Sequence, residues 1–143
     1  MATTRTARAH WEGSLTEGSG TTTLETSGQG TFDVTWASRA EQANGRTSPE
    51  ELIAAAHAAC YSMALSNGLA GDGHPPTSVD TTADVTFQPG EGITGIELEV
   101  TGKVPGLNAE QFQKAAEDAK ENCPVSQALK ATKITLKAAN FQE

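Results

Sequence analysis

From Leu52 to Leu65 the chain carries Leu52, Ile53, Ala54, Ala55, Ala56, Ala58, Ala59, Tyr61, Met63, Ala64 and Leu65. Thr47-Ser-Pro-Glu-Glu51 stands just ahead of this stretch. Ser48 suits a helix cap, Pro49 the first helical position and Glu51 the capping-box carboxylate. The pattern predicts a helix from Pro49 to about Asn67, stopped at Gly68. Its apolar side chains cover every face, so most of its surface must be buried. Its alanines let neighbouring elements approach closely. A chain of 143 residues with 36% apolar side chains cannot easily wrap such a helix alone. A second copy of the chain is the natural source of the missing cover.

The same stretch is interrupted by His57 and Ser62 and falls short of the ~20 apolar residues a bilayer span needs. Ten basic against eighteen acidic residues leave a net charge of −8. An acidic surface repels phosphate backbones, which disfavours nucleic acid as a partner, and no polybasic cluster offers a membrane-surface site. Met1 to His10 has basic residues but no apolar core of a signal peptide, so a cytoplasmic location is expected.

A single α+β domain over residues 1–143 is expected, with the order β-β-β-α-β-β-α-α-β. Ala7 to Glu12, Thr21 to Thr26 and the alternating Thr31 to Trp36 read as a small antiparallel meander. The last of these should have one buried face. Ala37 to Arg46 reads as a polar linker. Ser78 to Gln88 and Ile93 to Val104 alternate as strands about a Pro-Gly-Glu-Gly turn. Asn108, with Gln111 in the box position, should cap a helix from about Ala109 to Glu121. Pro124 opens a further helical turn, and Lys133 to Ala138 closes as a strand. Gly18-Ser-Gly20 lacks both the glycine spacing and the following helix of a phosphate loop.

Cys60 and Cys123 are the two cysteines, separated by 62 residues. That spacing suits neither a secreted disulfide scaffold nor a CxxC redox or zinc motif. Two such cysteines in a reducing compartment are ordinarily inert core residues. Cys60 lies on the buried helix, where apolar surroundings silence a thiol unless a cation is near. His57 stands one turn earlier and reads first as a residue packed in the core or bonded to a backbone group. A Cys60/His57/Cys123 metal site is disfavoured by so few soft ligands. Cys123, just ahead of a helical turn, looks like the more acidic thiol, and Cys60 the more hidden one. Glu51 reads as a helix-dipole residue. Glu50 could hold an arginine through a bidentate bridge, and an arginine so fixed could stabilise a thiolate.

With these residues in view, the chain resembles the OsmC/Ohr family of thiol peroxidases, and within it the OsmC branch. The resemblance rests on Ala9-His-Trp-Glu-Gly13, on Ser48-Pro-Glu-Glu-Leu-Ile-Ala-Ala-Ala-His-Ala-Ala-Cys-Tyr-Ser-Met-Ala-Leu-Ser66, on Pro76-Thr-Ser-Val-Asp-Thr-Thr-Ala-Asp-Val85 and on Asn122-Cys-Pro-Val-Ser-Gln-Ala-Leu-Lys130. The Ohr branch typically has Gly-Tyr in place of Ala56-His57, which speaks against a general catalytic role for His57. The resemblance implies an intertwined homodimer, with antiparallel sheets wrapped around two long central helices. It implies reduction of organic hydroperoxides, and less efficiently of hydrogen peroxide, in oxidative and osmotic stress. Cys60 would be the peroxidatic thiol and Cys123 the resolving one, which reverses the ranking from the helix end. Arg39 and Glu50 would be the family's arginine and glutamate. Arg46 is a second candidate, because the stretch from Arg39 to Pro49 is one residue longer than the family pattern. No metal, haem or flavin is implied. The expected partners are a second copy, the hydroperoxide and a dithiol reductant, with lipoyl-type dithiols as one candidate. The competing reading is a non-catalytic module that holds a hydrophobic small molecule at the dimer seam, its cysteines lying apart in the core.

Overall fold

A computed structural model describes residues 1–143 as two compact units, Met1–Leu52 and Ile53–Glu143. The first unit begins with a three-stranded antiparallel meander, β1 (Ala7–Glu12), β2 (Ser19–Leu24) and β3 (Thr31–Val34), in that spatial order. Gly28, at φ +66°, supplies the left-handed residue of the β2–β3 turn. The buried face expected of β3 is absent, and no residue from Met1 to Pro49 is buried. Trp11 and Phe32 are 40% and 38% exposed. A meander needs a covered apolar face to be stable, and this chain does not supply that cover within the first unit.

The expected linker after β3 holds a short helix, α1 (Trp36–Ala40). Its start is a reciprocal box in which the Thr35 hydroxyl accepts from the Ser38 backbone N–H and the Ser38 hydroxyl accepts from that of Thr35. Thr35 therefore ends the strand by capping a helix instead of extending the β alternation through Trp36. Thr47 returns alongside Val34 as a bridge, its backbone N–H donating to the Asp33 carbonyl at 2.9 Å.

The long helix α2 spans Pro49–Gly71 without a break. The Ser48 hydroxyl accepts the Glu51 backbone N–H at 3.1 Å, as expected of a cap. The Glu51 carboxylate accepts from the Thr47 hydroxyl at 2.6 Å. The helix passes through Gly68, whose backbone stays out of the left-handed region, and the reversal falls on Gly73 at φ +87°.

In the second unit, β4 (Ser78–Gln88) and β5 (Gly92–Lys103) form an antiparallel hairpin, and β6 (Ile134–Gln142) lies parallel to β5. The expectation of wholly antiparallel sheets is thus corrected, since α3 (Ala109–Asn122) and α4 (Pro124–Ala128) form a crossover that lets β6 run with β5. Asn108 and Gln111 make the expected capping box at the start of α3. The core joins Tyr61, Leu65 and Leu69 of α2 to Leu98 and Val100 of β5 and to Phe112, Ala116 and Ala119 of α3. The other side of α2 stays open in the single chain: Ala55, Ala56 and Ala59 are exposed, and Met63 is 72% exposed.

Candidate active site

In the first unit, Ser38 and Thr47 fix the geometry. The Ser38 hydroxyl lies 2.8 Å from the Thr47 carbonyl and donates to it, tying α1 to the strand-like return that leads into α2. This sets Arg39 of α1 against Glu50 in the first turn of α2. Arg39 Nε lies 3.1 Å and 3.2 Å from the two Glu50 carboxylate oxygens, and Nη2 donates to Oε2 at 3.0 Å. Glu50 is only 6% exposed, and both of its carboxylate oxygens are held by this forked partner. Arg46 is exposed and belongs to a different surface, beside His10, Glu12 and Asp33. A cleft of about 520 Å³ opens next to Arg39, walled by Trp11, Leu15, Val34, Trp36 and Leu52. It combines an apolar wall with one guanidinium.

In the second unit, α2 and the α3–α4 junction bring the two cysteines together. Cys123 lies near enough to Cys60 to act on its thiol, and both cysteines are free. Burial pushes the Cys60 thiol above its ordinary value of 9.0, and the Cys123 thiol pushes it further. The Val125 backbone N–H pulls the other way. No cation of the chain is among the groups that act on it. Cys60 is half-buried and Cys123 fully buried, which corrects the expectation that Cys60 is the more hidden thiol. Cys123 caps α4, a helix of five residues, without a side-chain cap hydrogen bond. So short a helix gives the helix-end argument little dipole to work with.

His57 is fully buried and its Nε2 lies 2.7 Å from the Ser126 hydroxyl, while Nδ1 has no partner. Burial holds its pKa below the ordinary 6.5. His57 is thus packed in the core, one of the two expectations; its partner is a side chain of α4 and not a backbone group, and Ser126 was not singled out from the sequence. Its signal was present: His57-Ala-Ala-Cys60 and Cys123-Pro-Val-Ser126 share one spacing. Tyr61, one residue beyond Cys60, donates its hydroxyl to the Ala116 carbonyl at 2.8 Å and anchors α2 to α3. No cluster of three or more His, Cys, Asp or Glu side chains could hold a metal ion.

Residues 42–137 match the family described as OsmC-like protein. The chain is 46% identical over 139 residues to peroxiredoxin OsmC of Escherichia coli strain K12, covering 95% of this chain and 96% of that one. It is 32% identical over 104 residues to the organic hydroperoxide resistance protein OhrA of Bacillus subtilis, covering 71% and 73% of the two chains. The crystal structure of an OsmC-like protein from Mycoplasma pneumoniae superposes over the whole of both chains with a TM-score of 0.73 at 14% identity, a likeness of fold. With its thiol-bearing motifs inside the matched region and a full-length relative close to half identical, the chain belongs to the OsmC family.

Proposed function

We propose that the protein is a thiol-dependent peroxidase that reduces organic hydroperoxides, and less efficiently hydrogen peroxide, by a two-cysteine mechanism in the cytoplasm. The observation that carries this reading is the pairing of Cys60 with Cys123 in one unit. The rival binding module has its cysteines apart in the core. The half-buried Cys60 is reachable by substrate, and the fully buried Cys123 is kept for its neighbour. The named relatives, a peroxiredoxin and an organic hydroperoxide resistance protein, support the same chemistry.

The Cys60 thiolate attacks one oxygen of the hydroperoxide, the O–O bond breaks, and the departing alkoxide takes a proton to leave as alcohol. Cys60 becomes a sulfenic acid. Cys123 attacks that sulfur, an S–S bond forms, and the hydroxyl leaves with the thiol proton as water. An external dithiol then reduces the disulfide by exchange.

The site is completed by a second copy in an intertwined homodimer. Burial raises the Cys60 pKa with no cation to oppose it, while Arg39 is held in place by Glu50. Glu50 and Cys60 lie ten residues apart on the unbroken α2, about 15 Å of rise. A second chain placed with its α2 antiparallel would bring its own Arg39–Glu50 pair to this Cys60. The exposed face of Ala55, Ala56, Ala59 and Met63 supports such helix pairing. The apolar cleft beside Arg39 suits the organic part of a hydroperoxide better than hydrogen peroxide.

Consumption of cumene hydroperoxide with dihydrolipoamide as reductant tests the reading. Cys60→Ser should fall to background. Cys123→Ser should stop at the sulfenic acid and over-oxidise to the sulfinic acid, seen by mass as two added oxygens. Near-normal turnover by Cys60→Ser would remove Cys60 from the role of nucleophile.

A further inference from the structure

We propose that His57 and Ser126 form a positioning clamp that holds the Cys123 segment in register for closure of the Cys60–Cys123 disulfide, a role that rests on the two-cysteine reading above. His57 precedes Cys60 by three residues on α2, and Ser126 follows Cys123 by three residues in α4. The hydrogen bond at 2.7 Å and the thiol pair are therefore two contacts between the same two segments, one helical turn apart. A five-residue helix has no stability of its own, so its placement depends on such contacts.

The chemistry of the pair also sets it apart from ordinary core packing. His57 is fully buried and Ser126 is 4% exposed. The neutral ring fits best with the proton on Nε2 donating to Ser126, which leaves Nδ1 as an unpaired acceptor. Leucine and alanine in these places would fill similar space and leave no polar atom unsatisfied. By the usual balance of buried hydrogen bonds that exchange is nearly neutral for stability. What the polar pair adds is a directional contact of fixed length. Disulfide closure needs that, because the Cβ atoms must come to about 3.8 Å.

The step that the clamp serves is closure: Cys123 sulfur displaces hydroxyl from the Cys60 sulfenic acid, giving the disulfide and water. A second hydroperoxide competes for the same sulfenic acid and takes it to the sulfinic acid. Loss of the clamp therefore moves the partition between closure and over-oxidation without changing the first attack on Cys60.

The test uses the full-length protein as Ser126→Ala, His57→Leu and His57→Gln. Closure is followed in two ways: after a pulse of cumene hydroperoxide, and by glutathione release after Cys60 is loaded as a mixed disulfide with glutathione. The first attack is measured separately in a Cys123→Ser background. Ser126→Ala and His57→Leu should slow both closures about tenfold or more, since a misplacement of about 1 Å costs on the order of 100-fold in oriented reactions. Attack on Cys60 should stay within about twofold. His57→Gln, whose amide N–H can reach Ser126, should recover much of the closure rate, which a mere packing role would not give. Ser126→Ala removes a single hydroxyl, so it tests the clamp even if His57→Leu misfolds. Closure from the glutathione adduct at the unaltered rate in Ser126→Ala would overturn the proposal. Slowed closure from that adduct in a protein that consumes no hydroperoxide would uphold the clamp and remove the peroxidase reading.

Discussion

Cys60 poses the sharpest question at the scale of single residues. Its chain surrounds it with apolar groups and a second thiol, both of which favour the neutral form, and gives it one opposing backbone N–H. The sign is definite: the raised pKa makes the folded chain favour the protonated thiol, and the associated stability is lost as the pH rises above the ordinary value of 9.0. An arginine supplied by a partner would reverse that preference. Alkylation of Cys60 by iodoacetamide, followed against pH, should thus have its midpoint below 9.0 in the native protein and above it in Arg39→Met. Identical profiles would separate Arg39 from the thiol. The pairing of Glu50 with an arginine and the nearness of the two cysteines were legible because each involves residue types with few alternative uses in their places. That Glu50 pairs with Arg39, which the resemblance put ahead of Arg46, could not be derived from the residues alone. It turns on a helix of five residues and on the Ser38 contact to Thr47, which no spacing displays.

Elements were read well where one local rule governed them, and poorly where two rules competed. Ser78–Gln88 matched its expected bounds because alternation and the flanking turn agree. The α1 helix was missed because Thr35 continues the alternation of β3, and its box partner is Ser38 in place of the usual Glu or Gln. Gly68 looked like a stop but carries no left-handed backbone, so the helix continues to Gly71. The direction of β6 could not be read, since its side-chain pattern is the same for parallel and antiparallel pairing. Packing of β5 against α3 gives a prediction at this scale. A Cβ on Gly102 would lie 2.4 Å and 2.5 Å from the ring atoms Cε1 and Cζ of Phe112. That ring is fully buried and faces Phe141 at 5.8 Å between centroids, so it has little room to yield. Gly102→Ala should destabilise the fold by about 1–3 kcal/mol, the usual cost of overpacking. Urea unfolding followed by far-ultraviolet circular dichroism measures it, and an unchanged midpoint would mean that the ring moves freely.

For the whole molecule, the all-round apolar helix led to the expectation of a second copy, and in the single chain one side of that helix is uncovered. No helix is long and apolar enough to cross a membrane, so the uncovered apolar surface is not explained by a helical span. The first unit has no buried residue before Glu50, and the open side of α2 carries Ala55, Ala56, Ala59 and Met63. Each feature is a cost to a lone chain that the proposed second copy would relieve. How two copies would pair could not be read from one sequence, because it depends on surfaces that only a pair would bring together. Mixed dimers of Cys60→Ser and Glu50→Gln chains, isolated at about twice 14.9 kDa, test the shared site most directly. If each site takes Cys60 from one chain and Glu50 from the other, one site of the mixed dimer keeps both residues and the second lacks both. Mixed dimers should then show close to half of the native hydroperoxide turnover, with both parent homodimers strongly impaired. Mixed dimers no more active than the average of the two parents would contradict the shared site.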